Sequence, residues 1–267
     1  MWTAVALTTV MTLAPAQTLD IKNVRTTYGT LGETRKDDKF LPGDMLVVAF
    51  DIEGLKAKDT GLVEYSIGME VSKKGKAKFE FKQDPIELEA ENILGGSTLP
   101  AFASWPIKVD AAPGEYTLKV TIKDLQSKAE KTLSKSFEVL APRLGFVGVR
   151  LSAGNGDPVP PIAIPGQRVF LHCALVGFKL GKDGLPNVTF EMIVQDDAGK
   201  PTVAKSFKGD IKTDLKATPT PTVMVFRARQ LDLNKAGKYK IVLKATCNHT
   251  KESTEQTMNL NVLSSAN

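Results

Sequence analysis

Cysteine and histidine are the residue types that could do the most chemistry in this 267-residue chain, which contains two of each. They are Cys173, Cys247, His172 and His249. A thiol and an imidazole that converge can form a nucleophile–base pair or bind a transition metal. His172 and Cys173 are consecutive residues of an alternating segment, so their side chains point to opposite faces of one strand. We therefore expect no catalytic residues, no metal site and no cofactor.

The basic character of the chain raises the question of nucleic acid binding. Lysine and arginine number 35 against 30 acidic residues, which gives a formal net charge of +5. Only seven of these 35 are arginine, the residue that contacts phosphate and guanine with two parallel hydrogen bonds. The lysines are dispersed, and their one dense stretch, residues 73–78, has the composition of a hairpin tip. We expect a solvated surface and no nucleic acid partner, the alternative being a patch that binds polyanions.

Several motifs recur at a constant separation of 123 residues, the difference between positions 42 and 165. Pro42-Gly43 recurs as Pro165-Gly166, and Gly114-Glu115-Tyr116 recurs as Gly237-Lys238-Tyr239. Such an offset over the whole length predicts that one domain has been duplicated. The predicted copies cover residues 18–140 and 144–267.

Each copy has the hydrophobic pattern of β-strands. Residues 44–53 place Leu46, Val48, Phe50 and Ile52 on one face, which is the period of two of a half-buried strand. The same alternation occurs in later segments of the first copy and at the equivalent positions of the second. About seven short strands per copy, separated by turn sequences, predict an all-β chain of two tandem antiparallel β-sandwiches.

The two copies resemble bacterial immunoglobulin-like domains, a group similar to fibronectin-III-like and macroglobulin-like sandwiches. The resemblance rests on the Pro-Gly turn before an alternating strand and on the Gly-x-Tyr motif that begins the penultimate strand. In such sandwiches a tyrosine at this position bonds the preceding corner through its hydroxyl, which implies this role for Tyr116 and Tyr239. The resemblance implies a fold and little about function, because these folds serve adhesion, spacing, carbohydrate binding and assembly.

Cys173 and Cys247 belong to the same copy, on strands that are expected to face each other across the sandwich. In an oxidising compartment they could form a disulfide. The alternative is two buried free thiols, because cysteine packs well as a small hydrophobic side chain. The late position of Cys247 in its strand could place the two Cα atoms more than ~7 Å apart, which is too far for a disulfide. The sequence leaves both alternatives open.

Phe102, Phe178 and Trp105 are the candidates for an exposed aromatic platform on which a sugar could stack. In the segment around Trp105, small residues of the first copy correspond at the offset to large residues of the second, and Trp105 itself corresponds to Ala228. This pattern indicates volume compensation within a core. We therefore expect Trp105 to be buried and Phe102, of opposite parity, to face outward.

Residues 1–16 contain no charged side chain and end in Ala14-Pro15-Ala16. A bilayer-spanning helix needs ~20 apolar residues, so this segment is too short to be one. The small residues at its end match a signal-peptidase site. The sequence predicts a signal peptide over residues 1–16, export to the periplasm, cell surface or medium, and no membrane span. The competing interpretation is a buried N-terminal strand.

These observations favour a non-catalytic interaction or structural module of the bacterial cell envelope. We expect a monomer that contacts a protein or an envelope polymer through sandwich edges or loops. The alternative function is a carbohydrate- or polymer-binding accessory module, which would need exposed aromatic side chains.

Overall fold

The computed structural model describes residues 18–212 and 223–264, without the side chains of residues 223–228. Within these ranges all regular elements are strands, and none of the described residues lies in a helix that could cross a membrane. The strands are β1 (Asp20–Thr26), β2 (Lys39–Phe40), β3 (Met45–Glu53), β4 (Leu62–Lys73), β5 (Phe79–Glu91), β6 (Thr98–Pro106), β7 (Gly114–Asp124), β8 (Glu130–Val139), β9 (Gly145–Ser152), β10 (Pro158–Val159), β11 (Ile162–Ala163), β12 (Arg168–Val176), β13 (Val188–Asp196), β14 (Phe207–Ile211), β15 (Val223–Asp232), β16 (Gly237–Cys247) and β17 (Ser253–Val262).

The strands form four sheets, two in each half of the chain. In the first half, the sheet β1-β3-β6 accompanies the sheet β2-β8-β7-β4-β5. In the second half, β10-β9-β12-β15 accompanies β11-β17-β16-β13-β14. Only the short strands β2 and β11 pair in parallel, with β8 and β17 respectively, among the described pairings. The prediction of an all-β chain of two immunoglobulin-like sandwiches is confirmed.

Each sandwich is held by its own hydrophobic core, built from the inward faces of alternating strands. On β3, Leu46, Val48, Phe50 and Ile52 are each at most 1% exposed. On β12, the inward residues are buried as well, namely Val169, Leu171, Cys173 and Leu175. The Pro-Gly turn before each of these strands has its glycine at positive φ, +89° at Gly43 and +94° at Gly166, as the turn type requires.

The offset of 123 residues holds for most of the sheet register but fails in β9 and β15. Leu46 pairs with Trp105, whereas its counterpart Val169 pairs with Leu231, so the offset in this part of β15 is 126. The loop that follows β15 is three residues shorter than the loop after β6, which returns the offset to 123 at Gly237. The counterpart of Trp105 is therefore Leu231, and the correspondence with Ala228 was wrong.

In each sandwich one tyrosine forms a hydrogen bond to the corner before the penultimate strand, as the resemblance implied. The hydroxyl of Tyr116 donates a 2.7 Å hydrogen bond to the carbonyl of Ala112. The hydroxyl of Tyr239 donates a 3.0 Å hydrogen bond to the carbonyl of Lys235. Each bond reaches back four residues and satisfies a carbonyl at the bend that positions β7 or β16.

Candidate functional site

The longest free sheet edge in the first sandwich belongs to β5, a strand of 13 residues. It pairs with β4 on one side, and no other described strand pairs with it on the other side. Edge strands are usually short, because a row of unpaired N–H and C=O groups is a template for another strand. A free edge of this length is therefore a surface that can bind an extended chain.

Pro85 explains why β5 lies at the edge. Proline has no N–H to donate to a sheet and occurs at edges and bulges. The register between β4 and β5 shifts beside it, between Ile67 and Met69. Gly68 lies at this bulge, where an added Cβ would come 3.3 Å from Cγ of Pro85. The bulge separates a regular segment, residues 86–91, from the start of the strand.

The segment 86–91 presents two chemically different faces. Ile86 and Leu88 lie opposite Ile67 and Tyr65 and so share the face of the core. They are nevertheless 46% and 36% exposed, while Ile67 and Tyr65 are buried. The physical reason is the unequal width of the sheets, since three strands oppose five. An apolar strip thus remains uncovered beside the free edge.

The opposite face of the same segment is acidic. Glu87, Glu89 and Glu91 alternate with the apolar residues, and all three are exposed. Among the described residues none of them forms an ion pair. Glu89 also lies opposite Glu64, whose carboxylate is held 2.6 Å from Nζ of Lys58. The outer face of this edge therefore carries excess negative charge.

The loop between β5 and β6 extends the apolar strip. Ile93 is 84% exposed and Leu94 is fully exposed. The turn itself is ordered by Asn92, whose carbonyl accepts a 2.8 Å hydrogen bond from the N–H of Gly95 and whose Nδ2 donates to the carbonyl of Gly96. Two large aliphatic side chains at an ordered tip are a second contact element next to the edge.

Of the two alternatives that the sequence leaves open, the structure has the two cysteines as buried free thiols. Cys173 lies in the middle of β12, whereas Cys247 is the last residue of β16, where its Sγ donates to the carbonyl of Lys179 at 3.7 Å. Burial raises the pKa of the Cys173 thiol to about 12. Burial also acts to raise the pKa of Cys247, but hydrogen bonds from Thr250 and neighbouring backbone groups outweigh it and lower that pKa.

The two histidines have separate local partners. Nε2 of His172 lies 2.6 Å from Oγ of Ser152, and Nε2 of His249 lies 3.2 Å from the carbonyl of Leu185. Burial, together with the nearby charge of Arg150, lowers the pKa of His172. No three histidine, cysteine, aspartate or glutamate side chains among the described residues are grouped as metal ligands. The structure does not bring the histidines and cysteines together into one site.

Of the three aromatic candidates, two are buried and one is exposed. Trp105 is 4% exposed and packs against Tyr116 and Phe137, each at a ring-centroid distance of 6.0 Å, which confirms it as a core residue. Phe102 is half exposed, as predicted. Phe178 is buried, so its proposed place on a platform was wrong. Gly177, at a φ of +73°, ends the alternation before it and turns the chain inward.

Sequence reasoning missed β5, although a signal for it was present. Residues 86–91 alternate strictly between apolar and acidic side chains, which is a strand pattern. A proline just before such a run is typical of an edge strand. The pattern could not show that the apolar face would stay uncovered, because this depends on the width of the opposing sheet.

Comparison with known proteins finds matches among solved structures. No protein-family model matches the sequence, and no similar curated protein is found. Dimeric latent PorU from Porphyromonas gingivalis is similar to 92% of this chain at 12% identity and a TM-score of 0.39, over 20% of its own length. The fibronectin(III)-like modules of CbhA from Clostridium thermocellum are similar to 85% of this chain at 12% identity and a TM-score of 0.23, over 90% of theirs. The chain therefore spans about one fifth of the PorU chain.

Proposed function

We propose that the protein is a non-catalytic interaction module whose first sandwich binds an extended segment of a partner protein along β5. The observation that supports this proposal most strongly is the free edge itself, 13 residues long with an uncovered apolar strip beside it. A strand added there would gain main-chain hydrogen bonds from the edge and would bury Ile86 and Leu88. Main-chain pairing supplies affinity in this mode, and the alternate side chains supply specificity.

The two faces of β5 specify the chemistry of the partner segment. Paired strands place side chains of the same face opposite each other, where unlike charges attract and like charges repel. The partner segment should therefore alternate apolar residues, opposite Ile86 and Leu88, with lysine or arginine, opposite Glu87 and Glu89. A second copy of this chain does not satisfy that rule, because pairing β5 with β5 would set glutamates against glutamates. The proposal thus includes a monomer that binds a different protein.

We also propose that this interaction takes place outside the cytoplasm, in the bacterial cell envelope. The support is the uncharged segment 1–16 and the Ala-Pro-Ala sequence at its end. Expression of the full chain in a bacterial host, followed by N-terminal sequencing of the periplasmic and medium fractions, should find a protein that begins at Gln17. Retention of the uncleaved chain in the cytoplasm would contradict export and leave the binding proposal to its own test.

The binding proposal can be tested with a synthetic peptide of eight alternating valine and lysine residues. Titration followed by amide chemical shifts should perturb residues 86–91 and slow the hydrogen exchange of their amides. The same peptide N-methylated at every second residue cannot pair through its backbone, and we expect it to bind at least tenfold more weakly. The double variant Glu87→Lys/Glu89→Lys should also bind the unmodified peptide at least tenfold more weakly.

A matched control distinguishes the edge from general charge attraction. Glu130→Lys changes an exposed glutamate on β8, away from β5, and should leave the affinity unchanged once the net charge is allowed for. The proposal fails if the N-methylated peptide binds as well as the unmodified one, or if the control weakens binding as much as the β5 variant.

A further inference from the structure

The second sandwich contains a cleft of about 880 Å³ between its two sheets. Polar and charged side chains form about half of its lining, and the apolar part comes mainly from strands of both sheets, namely Met192, Val194, Leu231, Leu233, Leu260 and Val262. Sites for small ligands typically measure roughly 300–1,000 Å³ and combine apolar side chains with polar groups that orient the ligand. The cleft lies in the other half of the chain from β5 and is independent of the function proposed for that edge.

In the first sandwich, four aromatic side chains fill the equivalent position. They are Phe40, Trp105, Tyr116 and Phe137, and each is at most 4% exposed. The ring of Phe137 lies 5.8 Å from Phe40, 6.0 Å from Trp105 and 5.5 Å from Tyr116 between centroids. These distances are those of packed aromatic rings.

The sheet registers identify the residues that replace this cluster in the second sandwich. Tyr116 pairs with Phe137, and its counterpart Tyr239 pairs with Leu260. By the same comparison, Leu231 is the counterpart of Trp105, and Ala163 is the counterpart of Phe40. Three of the four aromatic rings are thus replaced by smaller aliphatic side chains. These replacements leave less side-chain volume at this position in the second sandwich than in the first.

The remaining ring shows the effect of the lost volume. Tyr116 is buried among its neighbours, whereas Tyr239 is partly exposed and lines the cleft. Leu231 and Leu260 line it as well. Val194 is also partly exposed, and apolar surface of this kind is unfavourable in contact with water. A ligand with an apolar body would cover it.

Positive charge surrounds the mouth of the cleft. Four cations line it, Lys200, Lys205, Arg229 and Lys235, and among the described residues none of them forms an ion pair. Two carboxylates line it too, but each already has a partner. Asp232 is paired with Nε of Arg168 at 2.8 Å, and this bond lowers its pKa. Asp196 accepts a 2.8 Å hydrogen bond from the N–H of Lys200. Asp196 keeps its charge, but the four cations outnumber it, so the mouth of the cleft is positive overall.

Arg229 is held in place at this mouth by an aromatic ring. Its guanidinium carbon lies 4.5 Å from the ring centroid of Phe207, which begins β14 in the opposite sheet. The stacking leaves the N–H edge of the guanidinium free, since the side chain of Arg229 donates no hydrogen bond within the described part of the chain. A planar fork of N–H donors matches the two oxygens of a carboxylate.

We infer that the cleft of the second sandwich binds an amphipathic anion, a hydrocarbon chain that ends in a carboxylate. The chain occupies the space that the aromatic rings fill in the first sandwich and contacts Met192 and Leu260. The carboxylate lies at the mouth, within the positive charge of Arg229 and the neighbouring lysines. Removal of apolar surface from water supplies most of the affinity, and the cations select the charged head group.

Dodecanoate, titrated below its micelle concentration into the full chain by calorimetry, tests this inference. We expect one dodecanoate per chain, and at least tenfold weaker binding of dodecanol, which has the same chain without the charge. Arg229→Gln should weaken dodecanoate binding at least tenfold. Lys240→Gln removes an equal charge from an exposed position on β16 outside the cleft and should leave the affinity unchanged.

A second variant fills the cleft with the residues of the first sandwich. Leu231→Trp/Leu260→Phe should abolish dodecanoate binding while the cooperative thermal transition persists. The inference is overturned if the wild-type chain does not bind dodecanoate, or if the filled variant binds it equally well. Should the filled variant fail to fold, equal affinities of Arg229→Gln and Lys240→Gln would overturn the inference independently.

Discussion

The carboxylate of Asp44, in the first sandwich, accepts a 3.0 Å hydrogen bond from the backbone N–H of Gly148, in the second. The other oxygen of Asp44 lies 2.6 Å from Nη2 of Arg35, and both side chains are buried, at 4% and 8% exposure. The Arg35 guanidinium also stacks on the rings of Tyr28 and Phe40, at 4.4 and 4.3 Å from their centroids. The buried Arg35–Asp44 ion pair thus contacts both the ring of Phe40, in the core of the first sandwich, and the backbone of β9, the first strand of the second.

Asp44→Asn should destabilise the protein by about 3–5 kcal/mol, because it leaves the buried charge of Arg35 without a partner. Asparagine keeps an oxygen for the N–H of Gly148, so the loss reports mainly on the charge. Urea denaturation measures the free energy of unfolding. Asp110→Asn, at an exposed loop position, should stay within about 0.5 kcal/mol of wild type. Equal stabilities of the two variants would show that the ion pair contributes nothing.

Removing the hydroxyl of Tyr116 or of Tyr239 should lower the free energy of unfolding, by a larger amount at Tyr116. Tyr116→Phe removes the buried hydrogen bond to Ala112 and should cost about 1 kcal/mol in the free energy of unfolding. Tyr239→Phe should cost less, because its hydroxyl bond is longer and the side chain is partly exposed. Tyr65→Phe is the control, since the hydroxyl of Tyr65 has no hydrogen bond within the described residues. A loss at Tyr65 as large as at Tyr116 would contradict the role of the corner bond.

The ionisation of Asp124 should make the free energy of unfolding depend on pH in the acid range. Burial alone would raise its pKa, but hydrogen bonds from the hydroxyl of Ser127 and from the N–H groups of Lys56, Gln126 and Ser127 outweigh it and hold that pKa below the ordinary 3.8. A lowered pKa means that the stabilisation is complete above pH 3.8 and is lost as the pH falls through the folded-state pKa.

Asp124→Asn should therefore be less stable than wild type by about 2 kcal/mol at pH 7, since these hydrogen bonds have a charged acceptor. The difference should shrink as the pH falls below 3.8. Thermal unfolding between pH 2.5 and 7 follows it, with Asp59→Asn at an exposed loop position as the control. A difference that is constant across this range would rule out the charged form of Asp124 as its source.

The two thiols should be countable and distinguishable. Mass spectrometry of the unreduced protein, alkylated with iodoacetamide in denaturant, should find two modified cysteines. Under native conditions Cys247 should react faster than Cys173, because the end of β16 opens locally whereas the middle of β12 requires wider unfolding. The low pKa of Cys247 relative to Cys173 acts in the same direction. A disulfide-linked peptide, or faster reaction at Cys173, would contradict this assignment.

The strand faces were predictable from the sequence because their alternation is local. The inward sets of β3 and β12, the burial of Trp105 and the exposure of Phe102 all follow from a period of two and the demand for a core. The equivalence of Asp124 and Cys247 at the offset was visible as well. In the structure these two residues contact equivalent lysines. The backbone N–H of Lys56 donates to the carboxylate of Asp124, and Sγ of Cys247 donates to the carbonyl of Lys179, the counterpart of Lys56.

The two proposed binding surfaces were not predictable, because both depend on how one sheet lies on the other. The uncovered side of Ile86 and Leu88 follows from a sheet of three strands opposing one of five. The replacement of Trp105 is recognised only when Leu231, rather than Ala228, is matched with it. A constant offset of 123 gives the wrong match, because the loop after β15 is three residues shorter than the loop after β6. Positions of burial could thus be read from the sequence, whereas the fit of one sheet on another could not.

Gly54 and Gly177 are equivalent glycines at which the chain passes very close to itself. Their φ angles are +79° and +73°, and an added Cβ would lie 2.4 Å from the carbonyl oxygen of Thr18 and 2.0 Å from that of Arg143. Gly54→Ala and Gly177→Ala should each destabilise the protein by more than the ~1 kcal/mol expected from the backbone conformation alone. Gly75→Ala separates the two causes, because Gly75 has a φ of +78° with no atom within 4 Å of the added Cβ. Urea denaturation of the three variants should therefore rank Gly75→Ala as the mildest. If all three lose the same free energy, close packing at Gly54 and Gly177 does not constrain the sequence there.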